Sequence, residues 1–177
     1  LIVIAQFLGC TLWFSVNGVS VDLTTRWGLA SSDIGLLTSA VQAGFIIGTL
    51  SLAISNVADR FAPSHIFLCA SVLGCVANLL FAYQATGLTE GLIYRFIVGI
   101  SLAGIYPIGM KLIVSWSPNL PGVGLGLMVG MLTLGTASPH LFSGLSLSAD
   151  WRVTLTFVPT LAMFGGLAVL FIGEGPF

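Results

Sequence analysis

Six long apolar runs follow one another along the chain, at residues 1–19, 34–57, 65–83, 91–114, 123–145 and 151–172, with short polar breaks between them. Each comes close to the roughly 20 residues that a helix needs to cross a bilayer. The runs do not alternate with period two, which argues against a membrane β-barrel. Lipid offers no partner to backbone N–H and C=O groups, so spans of this kind must be helices. The pattern predicts an all-α transmembrane six-helix bundle, with residues 1–177 forming a single transmembrane domain. Ser31, Ser32 and Asp33 give a helix start just before Ile34. Trp27, Trp116 and Trp151 fall at span ends, where interfacial aromatics belong.

Composition agrees with the pattern and narrows the function classes. Lys and Arg number 5 and Asp and Glu 6, so 6% of residues are charged, against about 25% in a soluble domain. Hydrophobic residues make up 56%, and mean hydropathy is +1.08. A soluble enzyme is excluded, and so is a nucleic-acid binder, which needs a basic face. The net charge of −1 implies no polybasic lipid patch. Most charges mark the breaks: Asp22, Arg26 and Asp33 in the first, Asp59 and Arg60 in the second, Glu90 in the third, Asp150 and Arg152 in the fifth, with Glu174 after the last run. Five basic residues do not orient the bundle by the positive-inside rule. The chain opens on apolar residues without a basic segment, so a truncated first span, and hence a fragment, is expected rather than a signal peptide. Cys10, Cys69 and Cys75 sit inside apolar runs and read as small hydrophobes. His65 and Cys69 are four apart, but two ligands without a third make a poor metal site, and no cofactor is expected.

Ionisable groups at membrane depth are costly, and each is a functional candidate. Arg95 is the most telling. At about 100° per residue, Gly99 lies about 40° from it and Tyr106 about 20°, so one stripe of the fourth span carries all three. Pro107 would kink the helix beside that stripe. The functional reading is a cavity-facing cation; the structural one is a guanidinium bonded to backbone carbonyls. Gln6, Cys10, Trp13 and Asn17 form a stripe on the first span, Thr38, Gln42 and Thr49 on the second, and Thr133, Thr136 and His140 on the fifth. Single residues of this kind are often interhelical glue. Polar stripes on four spans together favour a shared cavity lined by Arg95, Tyr106, Trp13, Asn17, Gln42 and His140. Small-residue pairs, Gly44 with Gly48, Gly99 with Ala103 and Gly126 with Gly130, allow close helix approach. No phosphate loop, Ser-His-Asp spacing or paired carboxylates at depth support an enzyme.

Several motifs resemble the amino-terminal six-helix half of a major facilitator superfamily transporter. The resemblance covers the whole chain. Trp27-Gly28-Leu29 followed by Ser32-Asp33-Ile34-Gly35 leads into the second span as in that family. Asp59-Arg60, between spans two and three, matches the centre of its G-x-x-x-D-R-x-G-R signature, with Ser55, Ala62 and Pro63 as departures. Arg95, Gly99 and Ala103 match its R-x-x-q-G-x-x-x-A pattern, with Val98 in the Gln position, and Asp150-Trp151-Arg152 is similar to its G-W-R opening of the sixth span. Gly126, Gly130, Gly135 and Pro139 match its antiporter motif only loosely.

The resemblance implies two inverted three-helix repeats, spans three and six outermost, and a missing carboxy-terminal half of six more spans. It also implies an integral multi-pass protein of the cell membrane, with the first span starting in the cytoplasm. The implied activity is secondary active transport of a small solute by alternating access. Arg95 would face substrate, and Asp59 and Arg60 would latch the cytoplasmic side. A lone cavity Arg without an intramembrane acid suggests an anionic or zwitterionic solute. The competing expectation is a non-transporting six-helix membrane protein, such as a channel subunit or assembly scaffold. The partners expected are the solute, membrane lipid and the other half, with no nucleic acid.

Overall fold

The computed structural model describes residues 1–145 and 150–176, and side chains outside 139–149. The described residues form α1 (Ile2–Phe14), a 3-10 turn (Asn17–Val19), α2 (Ser20–Trp27), α3 (Ser31–Ser55), α4 (Val57–Arg60), α5 (Pro63–Gln84), α6 (Leu88–Trp116), α7 (Pro121–Leu145) and α8 (Trp151–Ile172). Five of these helices are long and apolar enough to cross a membrane. Taken together as one span bent by 47°, α1 and α2 bring the number to six.

The first span therefore continues past residue 19 to Trp27. Asp22 and Arg26, expected in a loop, lie on α2 instead. The polar residues of α2 hid this continuation in the hydropathy pattern, yet Leu23 is fully buried and keeps the segment packed. Gly28 stops the helix in the left-handed region at φ 63°, donating its N–H to the Thr24 carbonyl, which glycine does without Cβ strain. The break before α3 shrinks to three residues. Asp33 accepts the Ala30 N–H at 2.8 Å, satisfying a donor at the α3 start. Asn56, at φ 51°, ends α3 and turns the chain into the one-turn α4. Pro63 opens α5 at its first position, where a missing N–H costs nothing.

Helix contacts follow an internal two-fold rule. The bent first span packs against α7 and α8, and α6 packs in the same way against α3 and α5. α5 packs on α8, and α1 on α6. Exchanging the first three spans for the last three maps this set of contacts onto itself, as expected for two three-helix repeats. The α3–α6 crossing is the closest. Gly44 lies over the Phe96 carbonyl, Gly99 over the Val41 carbonyl, and Gly48 against Ala103 and Ile100, so these pairs do pack as small-residue contacts. Gly126 and Gly130 do not. A Cβ added at either meets no atom within 4 Å, so neither packs on another helix among the described residues. Small-residue spacing marks a possible close approach, and here α7 turns that face outward.

Candidate solute cavity and gate

The bend in the first span organises the site. After Phe14 the helix gives way to a turn, and the carbonyls of Leu12 and Trp13 lose their i+4 partners. Arg95 of α6 supplies them. One terminal nitrogen donates to the Leu12 carbonyl at 3.2 Å and to Ser15 Oγ at 2.9 Å; the other donates to the Trp13 carbonyl at 2.6 Å. The planar fork of arginine suits neighbouring acceptors of this kind, which a lysine ammonium could not match. Arg95 is 1% exposed, and its Nε has no hydrogen-bond partner among the described residues. The guanidinium is thus held against the bend of the first span. This is the carbonyl-bonded arrangement weighed above as its structural reading.

A buried polar chain continues from it. Ser15 Oγ lies 2.9 Å from Asn78 Oδ1, and Asn78 Nδ2 donates to the Leu155 carbonyl at 2.8 Å. That carbonyl is free because Pro159, four residues on, has no N–H. Arg95, Ser15, Asn78 and Leu155 join four helices at positions no more than 1% exposed. Cys75 donates its thiol to the Pro159 carbonyl itself at 3.0 Å.

Trp13, whose carbonyl Arg95 binds, carries its ring into an aromatic cluster. The Trp13 ring is 4.8 Å from Phe45 and 6.1 Å from Phe14, and Phe45 meets Tyr106 edge-on at 6.5 Å. All four are half-buried. Trp13 and Tyr106, expected in the cavity, thus come together. Phe45, which joins them, escaped notice inside an apolar run, although it completes the spacing of Thr38, Gln42 and Thr49 on α3. Asn17 and Gln42 are exposed, and neither amide bonds another described side chain. The hydroxyls of Thr38, Thr49, Thr133 and Thr136 bond backbone carbonyls of their own helices. Gln6, from the first stripe, is fully buried, and its Oε1 has no hydrogen-bond partner among the described residues. The side chain of His140 lies outside the described residues.

Asp59, expected in a latch, pairs with a cation other than Arg60. Lys111 of α6 reaches across to α4, with Nζ 2.7 Å from Asp59 Oδ1 and 2.5 Å from the Ala58 carbonyl. Arg60 is exposed and forms no ion pair among the described residues. Lys111 stands one helical turn past Pro107, and both line a small cavity of about 190 Å³ with Thr49, Asn56 and Asp59. Chain spacing alone had no means of pairing Lys111 with Asp59, because their partnership comes from the close α3–α6 packing. On the same membrane face Glu174 accepts the Ser64 N–H at 2.9 Å. Hydrogen bonding from that backbone group holds the Glu174 carboxyl below the usual glutamate range. Trp116 Nε1 donates to the Gly173 carbonyl at 3.1 Å, and the Gly175 N–H donates to Ser115 Oγ at 3.1 Å. The ends of α5, α6 and α8 are tied together here.

Comparison with known proteins places this arrangement. The Major Facilitator Superfamily profile matches residues 2–176. The chain is 26% identical over 150 residues to a probable sulfoacetate transporter of Cupriavidus necator, covering 81% of this chain and 35% of that protein. It is 24% identical over 164 residues to a niacin transporter of Acinetobacter baylyi, covering 87% and 33%. An inner membrane transport protein of Escherichia coli is 25% identical over 158 residues, covering 88% and 37%. The chain thus spans about a third of the length of these relatives. Two solved structures share its fold. A bacterial homologue of the human lysosomal transporter Spinster, inward-facing and unoccupied, gives a TM-score of 0.82 at 17% identity, over 99% of this chain and 42% of that one. The proton:xylose symporter XylE gives 0.80 at 19% identity, over 99% and 45%. The chain belongs to the major facilitator superfamily of membrane transporters.

Proposed function

We propose that this chain is the amino-terminal six-helix half of a secondary transporter that moves a small solute by alternating access, in a cell membrane. The observation that carries this reading is the half-buried aromatic cluster of Trp13, Phe45 and Tyr106, contributed by three helices, with the exposed amides of Asn17 and Gln42 on two of the same spans. Such a face offers stacking and a few hydrogen bonds, as solute sites do. Its charge bias comes from Arg95. The guanidinium is buried against the Trp13 carbonyl, and no carboxylate pairs with it among the described residues. In a low-dielectric setting that uncompensated charge favours a solute carrying a carboxylate or another anionic group. Sulfoacetate and niacin, which appear in the names of two relatives, are small organic acids and accord with this reading.

In this reading Arg95 acts on the solute through its field and by holding Trp13, and Tyr106, Asn17, Gln42 and His140 line the path. Asp59 is the latch on its membrane face, with Lys111 as partner, while Arg60 points away. The pair is exposed and worth about 1 kcal/mol or less. A latch that weak can open and close within a transport cycle. The outward faces of Gly126 and Gly130 would meet the second six-helix half. Uptake by the full-length protein in proteoliposomes tests the proposal. Small organic acids should be taken up saturably, and Trp13→Ala and Tyr106→Ala should each raise KM. Unchanged uptake in both variants would remove the aromatic cluster from the solute path.

A further inference from the structure

A second concavity lies on the other side of the α3–α6 pair. It is a groove of about 460 Å³ between α3, α5 and α6, bounded by Ser51, Phe61, His65, Cys69, Leu73 and Gly104 among others. Ile47 in its wall stands about 200° around α3 from Phe45, and Gly104 as far around α6 from Tyr106. The groove is therefore separate from the aromatic cluster.

Its chemistry is that of hydrocarbon. The two hydroxyls it contains are already spent: Ser51 donates to the Ile47 carbonyl and Ser101 to the Val98 carbonyl, both at 2.7 Å. Inward of His65 the lining is apolar apart from these hydroxyls and the Cys69 thiol. Beneath it the helices close on one another, Gly48 of α3 against Ile100 and Ala103 and Gly104 of α6 against Ala70. From His65 to Leu73 the axis of α5 rises about 12 Å at 1.5 Å per residue. Half of a hydrocarbon core of roughly 30 Å is about 15 Å. The groove thus runs from a helix end to the bilayer middle, one leaflet deep, and Ile100 and Gly104 lie near the centre of α6.

The mouth is different. His65 is exposed there, in the first turn of α5. Arg60 stands between the lining residues Val57 and Phe61, exposed and without an ion pair among the described residues. Of the two acids nearby, Asp59 is paired with Lys111, while Glu174 accepts the Ser64 N–H and also faces His65 electrostatically. The mouth therefore offers Arg60 as a cation with no paired carboxylate among the described residues, together with the exposed His65 imidazole. We propose that this groove holds one acyl chain of an anionic phospholipid, with the phosphate of its head group at Arg60 and His65.

Native mass spectrometry of the full-length protein, delipidated and titrated with phosphatidylglycerol or phosphatidylcholine, tests this. One phosphatidylglycerol should be retained in preference to phosphatidylcholine. Cys69→Phe fills the groove from an exposed position and should weaken retention of that lipid about tenfold, as the loss of a few buried methylenes would. Arg60→Gln leaves the groove intact and should cost about fivefold for phosphatidylglycerol with little change for phosphatidylcholine. Should Cys69→Phe fail to fold, Ser51→Phe fills the same space from the α3 wall. Equal retention in the wild type and the filled variant overturns the proposal. So does a bound mass matching a detergent or another apolar molecule in place of phospholipid, or an equal loss of both lipids in Arg60→Gln.

Discussion

Arg95 shows what a single residue does in a chain with so few charges. Its position at membrane depth is plain in the sequence, and so is its stripe with Gly99 and Tyr106. Its partners are not, because two of the three are backbone carbonyls exposed by a bend some 80 residues earlier in the chain, with Ser15 Oγ the third. No side-chain pattern announces such acceptors. Arg95→Lys keeps the charge but loses the fork, so it should lower stability by about 2 kcal/mol, near three interhelical bonds of average strength. Thermal unfolding of the detergent-solubilised protein checks this, and an unchanged midpoint would show that the carbonyl contacts contribute nothing. Glu174 gives a pH-dependent counterpart. Its pKa is held down in the folded state, so its contribution is present above the ordinary glutamate value. That contribution fades as pH falls through the lowered native value. Trp116, whose Nε1 bonds the neighbouring Gly173 carbonyl, should report the release as an acid-side fluorescence change. Glu174→Gln should remove that transition.

At the scale of elements, six spans were legible because hydropathy and length are read directly from composition. The first span was cut short because α2 carries Asp22, Thr24, Thr25 and Arg26, whose polarity masks a helix anchored by Leu23. Small-residue pairs predicted close approach at Gly44, Gly48, Gly99 and Ala103, where it occurs, and at Gly126 and Gly130, where the bundle leaves open space. The spacing is the same in both cases, and only the neighbouring helix decides. Gly99→Val should therefore overpack the α3–α6 crossing and cost about 1–3 kcal/mol or more. Gly130→Val should leave the stability of this six-helix unit unchanged while slowing transport. Proline and asparagine form another coupled pair between elements. Asn78→Leu should cost about 1–2 kcal/mol because the Leu155 carbonyl loses its donor. In a Pro159→Ala background the helix regains its own N–H for that carbonyl, so the same substitution should cost clearly less. A double-mutant cycle in unfolding free energy reads the difference, and strict additivity would contradict the pairing.

For the whole molecule, two repeats of three helices place an aromatic cluster on one side of the α3–α6 pair and an apolar groove on the other. The Arg95 guanidinium, paired with no carboxylate among the described residues, holds the bend of the first span beside Trp13, and the exposed Asp59–Lys111 pair lies at one membrane face. Opening that pair should shift the balance between conformations more than it changes folding. Lys111→Gln should thus alter uptake rate with a stability change of less than about 1 kcal/mol. The central claim is that these helices are half of a carrier and not of a channel or scaffold. Counterflow by the full-length protein tests it most directly. In vesicles preloaded with an unlabelled small organic acid, trace labelled acid outside should accumulate transiently above its equilibrium level, because a carrier returns loaded from each crossing. Simple equilibration without that overshoot, or no movement of any organic acid, would contradict the account.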